Sequence, residues 1–325
     1  MDKKQYVEQL ITNIITSLEK HGAKDLLSSV IMTGSFGRKE PTYEHRDDGK
    51  LVLKSDVEIA LVYPSSAKKA DVDSLIESVS SEFKEELNLM GITEKRVRNA
   101  YNFNFSLKVP KYKTIFTYDL FNGSYTVWGT DFIGSISVPL ESCDIYEAKR
   151  LVANRIGELV YNEKNAEENQ KEYLRKQWKG KLMLAMVSGW LICEKQYVSS
   201  YHGQYDAIHK NAKAVKEIFG EEFITEYEKV FTFLREDGQA YEVADDKIRE
   251  YVKAIDAYFK GFEIGKPRVN SLSRNLKYFM KYVKNGMGYG LFGFENNILQ
   301  GLIDEYCGNS GALGKTADTW HKVIY

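Results

Sequence analysis

The sequence predicts an α+β domain followed by an all-α helical domain. Three observations carry this. Short β-type runs are confined to the residues before about Pro139. Stretches with helical spacing of apolar residues follow one another after it. The length, 325 residues, is about twice that of a typical single domain. The boundary falls near 135–145, giving expected domains at 1–140 and 141–325.

In chain order, Val7, Leu10, Ile11, Ile14, Ile15 and Leu18 recur at helical spacing, so residues 3–20 are expected to form an amphipathic helix. His21-Gly22 ends it, glycine being suited to the left-handed cap. Ser28–Met32 is a β-type run that stops at Gly34, and Leu51–Leu53 and Asp56–Val62 are further ones. Asp48-Gly49 before them is a good hairpin turn. Asp71–Met90 is expected to be a helix, with Leu75, Val79, Phe83 and Leu87 on one face. Phe103–Val109 and Thr114–Phe121 alternate with period two and are expected to be strands, Pro110 breaking the run between them; Tyr125–Trp128 adds a short strand. Residues 144–162, 166–197, 204–218, 221–234 and 243–262 read as successive helices. The tail from Ser271 reads as helix interrupted by Gly286, Gly288, Gly290 and Gly293, and Lys266-Pro267 as a loop.

Composition narrows the partners. A net charge of −1 offers no global attraction to polyanions, so no long nucleic-acid partner is expected without a local basic patch. Cys143, Cys193 and Cys307 are far apart and show no zinc spacing or disulfide framework. A reducing, cytoplasmic setting is expected. The longest apolar stretch, near Leu182–Cys193, is shorter than the roughly 20 residues that span a bilayer, and is expected to be a buried helix. The histidines show no ligand spacing together, and Trp178, Trp190 and Tyr197 read as core.

The informative stretch is Gly34-Ser35-Phe36-Gly37-Arg38, then Asp56-Val57-Glu58-Ile59. Gly34 lets the backbone approach a phosphate, Ser35 offers a hydroxyl and an amide, and Gly37 keeps the loop slim. Arg38 can pair with phosphate oxygens in a forked geometry. Asp56 and Glu58, two apart on a strand, share a face, while Val57 and Ile59 point to the other and can be buried. Two adjacent carboxylates repel, and a cation bound by hard oxygen ligands, Mg²⁺ or Mn²⁺, would relieve them. Asp119, a lone acid in a β-type run, is the candidate third ligand for a pair of ions roughly 4 Å apart. Its bland reading is an edge-strand acid facing water.

This pattern resembles the DNA polymerase β-like nucleotidyltransferase superfamily over roughly residues 25–130. The resemblance implies a catalytic domain with a small mixed sheet. It implies that Ser35 holds a nucleoside triphosphate, that Asp56 and Glu58 bind two Mg²⁺ ions, and that Asp119 binds the catalytic one and orients or deprotonates the acceptor. The implied reaction moves a nucleoside monophosphate to a hydroxyl of a small molecule or protein and releases pyrophosphate. Two departures stand out: the second acid is Glu where Asp is commoner, and the spacer from Ser35 to Asp56 is long and carries an apparent hairpin over Glu40–Lys54. Loops with such a spacer are similar to nucleotidyltransferase-like proteins of bacterial surface-polysaccharide clusters.

Arg175, Lys176, Lys179 and Lys181 read first as a solvated helix face. Related two-domain enzymes use lysines of the helical domain to hold the triphosphate tail, which makes Lys179 a further nucleotide-binding candidate. The helical domain is expected to close over the cleft and select the acceptor. Two other functions stay open: an oligonucleotide or cyclic-dinucleotide-like synthase of bacterial defence, and a catalytically degenerate nucleotide sensor.

Overall fold

A computed structural model describes residues 3–45, 51–84, 87–101, 114–134, 136–168, 170–235, 241–262, 294–308 and 313–323. It is mixed α/β, with a small four-stranded mixed sheet and a helical region. The chain divides into two compact units, one of residues 1–142 with 199–201, the other of residues 143–198 and 202–325.

The first unit opens with α1 (Lys3–Lys20), whose Leu10, Ile14 and Leu18 are buried. Each such side chain contributes about 1.5–3 kcal/mol when fully removed from water. Gly22, at φ 88°, then turns the chain into α2 (Ala23–Leu26). Next come β1 (Ser29–Met32), the short α3 (Gly34–Gly37), β2 (Tyr43–His45), β3 (Leu51–Leu53) and β4 (Val57–Tyr63). The strands β2 and β3 pair antiparallel, Tyr43 opposite Leu53 and His45 opposite Leu51. The Asp48-Gly49 turn expected between them lies outside the described residues.

The sheet order is β5-β4-β1-β6, with β5 spanning Leu87–Thr93 and β6 Tyr125–Gly129. β1 runs antiparallel to both β4 and β6, and β4 runs parallel to β5. A parallel pair needs a crossover, and α4 (Lys69–Ser80) supplies it. Side chains alternate between two buried faces. Val30 and Met32 of β1, with Val57, Ile59 and Leu61 of β4, pack with α1 and α4. Ile31, Ala60 and Val62 pack on the opposite face with Ile92, Val97, Leu120 and Phe121. Within β4 Glu58 alone is not fully buried.

Two expectations fail here, and one cannot be followed. The helix expected over 71–90 ends at Ser80, and its last expected residues belong to β5. Leu87 and Phe83 do pack on the expected core, but Leu87 does so from a strand paired in register with Val57. The strand expected over Thr114–Phe121 is instead the helix α6 (Ile115–Asn122). Thr114 caps it, its hydroxyl accepting from the Thr117 N–H at 3.2 Å. The apolar pattern served helix as well as strand, because Ile115, Leu120 and Phe121 are the residues buried while Phe116 is exposed. The strand expected over Phe103–Val109 lies outside the described residues. An unexpected helix, α5 (Glu94–Tyr101), follows β5.

The second unit is helical among its described residues: α7 (Tyr146–Asn165), α8 (Lys171–Cys193), α9 (Tyr201–Lys210), α10 (Ala212–Phe219), α11 (Phe223–Arg235), α12 (Asp245–Gly261), α13 (Phe294–Gly308) and α14 (Leu313–Val323). Tyr201, the first residue of α9, belongs to the first unit. The single helix expected over 204–218 is divided at Asn211 into α9 and α10. Leu182–Cys193 is buried along its whole length, against α7, α11 and α12. Among the described residues no helix is long and apolar enough to cross a membrane. Most of the glycine-interrupted tail, with Lys266-Pro267, lies outside the described residues.

In the first unit a carboxylate ties α1 to the end of α4. Glu82 accepts from Ser17 Oγ at 2.6 Å and Lys20 Nζ at 2.5 Å, with His21 Nε2 at 3.0 Å. The hydrogen bonds from Lys20, Ser17 and His21 pull its pKa from 4.5 to about 2. A depressed carboxylate stabilises the fold above its unfolded pKa and loses that contribution as pH falls through the folded one. Wild type is therefore expected to exceed Glu82→Gln in stability above about pH 4.5, the gap closing toward about pH 2. Urea unfolding of both proteins across that range checks it.

Candidate functional site

The candidate site grows from the end of the β1–β4 ladder. Met32 pairs with Ile59, and one residue on the Thr33 N–H donates to the Glu58 carbonyl at 2.9 Å. Thr33 Oγ1 donates to the same oxygen at 3.2 Å. The chain then turns sharply at Gly34, which takes φ 58°. A Cβ there would lie 1.6 Å from Glu58 Oε2, so the carboxylate occupies the space a side chain would need. Glycine is thus required twice over, for its backbone conformation and for the close approach of Glu58.

Gly37 is required for a different reason: a Cβ on it would lie 2.5 Å from the Gly123 carbonyl oxygen and 2.8 Å from that of Met32. The turn is wedged between the end of β1 and the junction of α6 with β6. Ser35, between these two glycines, is only 7% exposed. Its Oγ is buried with no hydrogen-bond partner among the described residues. A buried hydroxyl left in this state costs free energy, and such exceptions call for an explanation.

Asp56 reaches the site by way of the hairpin. The Thr42 N–H donates to Ser55 Oγ at 2.9 Å, and the Lys54 N–H to the Thr42 carbonyl at 2.9 Å, which closes the β2–β3 arm just before Asp56. Val57 and Ile59 are buried on the α1 side of the sheet. Glu58 alternates with them and shares the face of Ala60 and Val62. Leu120 and Phe121 of α6 pack on that same face, so Asp119 lies on a helix covering it. Even so, among the described residues no three His, Cys, Asp or Glu side chains are grouped to hold a metal ion. The residue in register with Glu58 on β5 is Asn88, and that strand, Leu-Asn-Leu-Met-Gly-Ile-Thr, carries no acid.

Arg38 and its neighbours show what sequence reasoning missed. Glu40, its side chain 8% exposed, lies 3.9 Å from Arg38 Nε. It also accepts from Ser200 Oγ at 2.7 Å and from the Tyr201 N–H at 2.9 Å. The Arg38 guanidinium stacks on the Tyr201 ring, 4.8 Å from its centroid. The Glu40 N–H returns to the Ser35 carbonyl at 2.8 Å, and Lys39 between them takes a left-handed φ of 61°. Glu40 sat two residues beyond a singled-out arginine and was open to notice. Ser200 and Tyr201 carried no local signal.

Lys179 lies in the second unit. It pairs with Asp245 and donates to the Val243 carbonyl at 3.2 Å. Burial lowers its pKa, as does the nearby Arg175, against the raising effect of Glu163 and Glu242. Arg175 pairs with Asp245 and Glu163, Lys176 with Glu172, and Lys181 lies over the Trp178 ring. Comparison with protein-family models, curated proteins and solved structures finds no match.

Two substitutions test this geometry. Ser35→Ala is expected to leave stability unchanged or slightly raised, since its hydroxyl has no partner to lose. Gly34→Ala is expected to lose about 1–3 kcal/mol from the strained φ alone, and more from displacing Glu58. Equilibrium urea unfolding of both variants checks the contrast.

Proposed function

We propose that the chain is a Mg²⁺-dependent nucleotidyltransferase that moves a nucleoside monophosphate from a nucleoside triphosphate to an acceptor hydroxyl. The observation that carries this reading is the buried, unpartnered Ser35 Oγ on a turn whose Gly34 is covered by the Glu58 carboxylate. A hydroxyl without a partner beside a glycine turn suits a phosphate oxygen as its missing acceptor. The donor set fits the ion: Mg²⁺ is commonly held by one or two carboxylates together with substrate phosphates and water, which Asp56 and Glu58 can supply. When bound there, the ion would neutralise charge on the phosphates and lower the acceptor pKa.

The residues then divide the work. Ser35 and Arg38 hold the phosphates of the triphosphate. The acceptor oxygen attacks the α-phosphorus, the bond from that phosphorus to the bridging oxygen breaks, and pyrophosphate leaves with the bond electrons. The acceptor proton passes to a carboxylate, for which Asp119 on α6 is the candidate. Asp119 also carries the second reading. Because it is not grouped with Asp56 and Glu58 to hold a metal, a nucleotide-binding protein without turnover is the alternative.

The test uses a labelled triphosphate with Mg²⁺ and a panel of small-molecule, protein and nucleotide acceptors, products being resolved by mass. Wild type is expected to label an acceptor and release pyrophosphate. Asp56→Ala is expected to lose transfer by at least about a hundredfold with its fold intact by circular dichroism. Unchanged turnover in that variant would sink the assignment. Tight binding with no product supports the alternative, and an oligonucleotide product assigns the acceptor as a second nucleotide.

A further inference from the structure

Residues 199–201 stand apart from their sequence neighbours. The chain on either side belongs to the second unit, yet these three residues belong to the first. Two contacts hold them at the glycine-serine turn. The first is Glu40, which takes the Ser200 hydroxyl and the Tyr201 amide at 2.7 and 2.9 Å, while Arg38 lies against Tyr201. The second is steric: a Cβ on Gly123 would lie 2.7 Å from Ser199 Cβ and 3.1 Å from its Oγ. Gly123 is the same residue whose carbonyl walls Gly37. Ser199 thus reaches Gly37 through one intervening glycine.

Ser199 repeats the anomaly of Ser35. It is buried, 8% exposed, and its Oγ has no hydrogen-bond partner among the described residues. Two buried hydroxyls without acceptors therefore lie on the two segments that Glu40 fastens together. Hydroxyls donate to phosphate oxygens as readily as to protein acceptors. One ligand rich in acceptor oxygens would satisfy both.

We propose that Ser199–Tyr201 forms a second wall of the polyphosphate site, with Ser199 as a further ligand for the phosphates of a nucleoside triphosphate and Glu40 as the positioning residue that fastens this wall to the Gly34–Arg38 turn. This rests on the nucleotide-binding reading above. Glu40 does not touch the ligand. Its Oε2 lies 3.9 Å from Arg38 Nε, and the guanidinium lies over the Tyr201 ring.

Hydrogen exchange of the full chain, read by mass spectrometry, tests the two parts separately. Without ligand, Glu40→Ala is expected to speed exchange at the Tyr201 amide by about tenfold or more, the loss of one charge-assisted hydrogen bond. Glu40→Gln, which keeps a carbonyl acceptor, is expected to restore part of the protection. Unchanged exchange in Glu40→Ala overturns the fastening role, and where that variant fails to fold, wild-type protection in Glu40→Gln supports it while full loss overturns it. Addition of Mg²⁺ and a non-hydrolysable ATP analogue to wild type is expected to protect Gly34–Arg38 and Ser199–Tyr201 together. Protection of the first segment alone overturns the second wall and leaves nucleotide binding standing; protection of neither overturns both. By calorimetry, Ser199→Ala is expected to bind the analogue about tenfold more weakly with an unchanged thermal midpoint. Unchanged affinity would remove Ser199 from the site.

Discussion

The hydrogen bond from the Thr33 N–H to the Glu58 carbonyl is the constraint on which the rest of the first unit's site depends. It extends the β1–β4 pairing one residue past the end of β1. It therefore decides where the chain must turn. Because β4 is held in register at that point, the Glu58 side chain falls over Gly34 and fills the place of a Cβ. The turn can close only with glycine, and Ser35 is carried into a buried position where its hydroxyl finds no partner among the described residues. Shifting the register by one residue would send Glu58 to the opposite face and bring Val57 or Ile59 out of the α1 core. Burial on both faces of the sheet thus protects the geometry of the turn.

The same logic explains why the acids come from different elements. Alternation along β4 aims Glu58 at the face covered by α6, and the closed β2–β3 arm delivers Asp56 just ahead of it. Asp119 arrives on a different element, a helix whose position follows from burying Leu120 and Phe121 against Ile31, Ala60 and Val62. Its carboxylate is placed by that packing and not by a strand ladder. Two acids share a backbone scaffold, while the third depends on how a helix lies across them.

The helical unit handles its charges internally. Arg175, Lys176 and Lys179 each have an acidic neighbour within the unit. Lys179 is largely buried, and desolvation and Arg175 lower its pKa against the raising effect of Glu163 and Glu242, while its ammonium pairs with Asp245 and donates to the Val243 carbonyl. Removing one partner of such a buried pair is costly even when the pair itself adds little. The polar Ser188, inside the buried part of α8, is satisfied in the same way, by Leu184 and Gln204.

Local chemistry alone was enough to read α1, its Gly22 cap, β1, β4 and the buried helix α8. Each has an apolar period, a glycine or a β-branched run that states its structure within a few residues. The local structure of the candidate site was legible for the same reason: Gly34, Ser35, Asp56 and Glu58 lie on or beside strands whose alternation is local. Only the tertiary structure decided the rest. Leu87–Thr93 is a strand because β4 offers it a parallel partner, and Thr114–Phe121 is a helix because Thr114 caps it and the sheet face accepts Leu120 and Phe121. Ser199–Tyr201 joins the turn because Glu40, far away in sequence, accepts its hydroxyl and amide. Period and propensity report what a segment can bury. Which partner buries it is settled by long-range pairing, which leaves no mark within the segment itself.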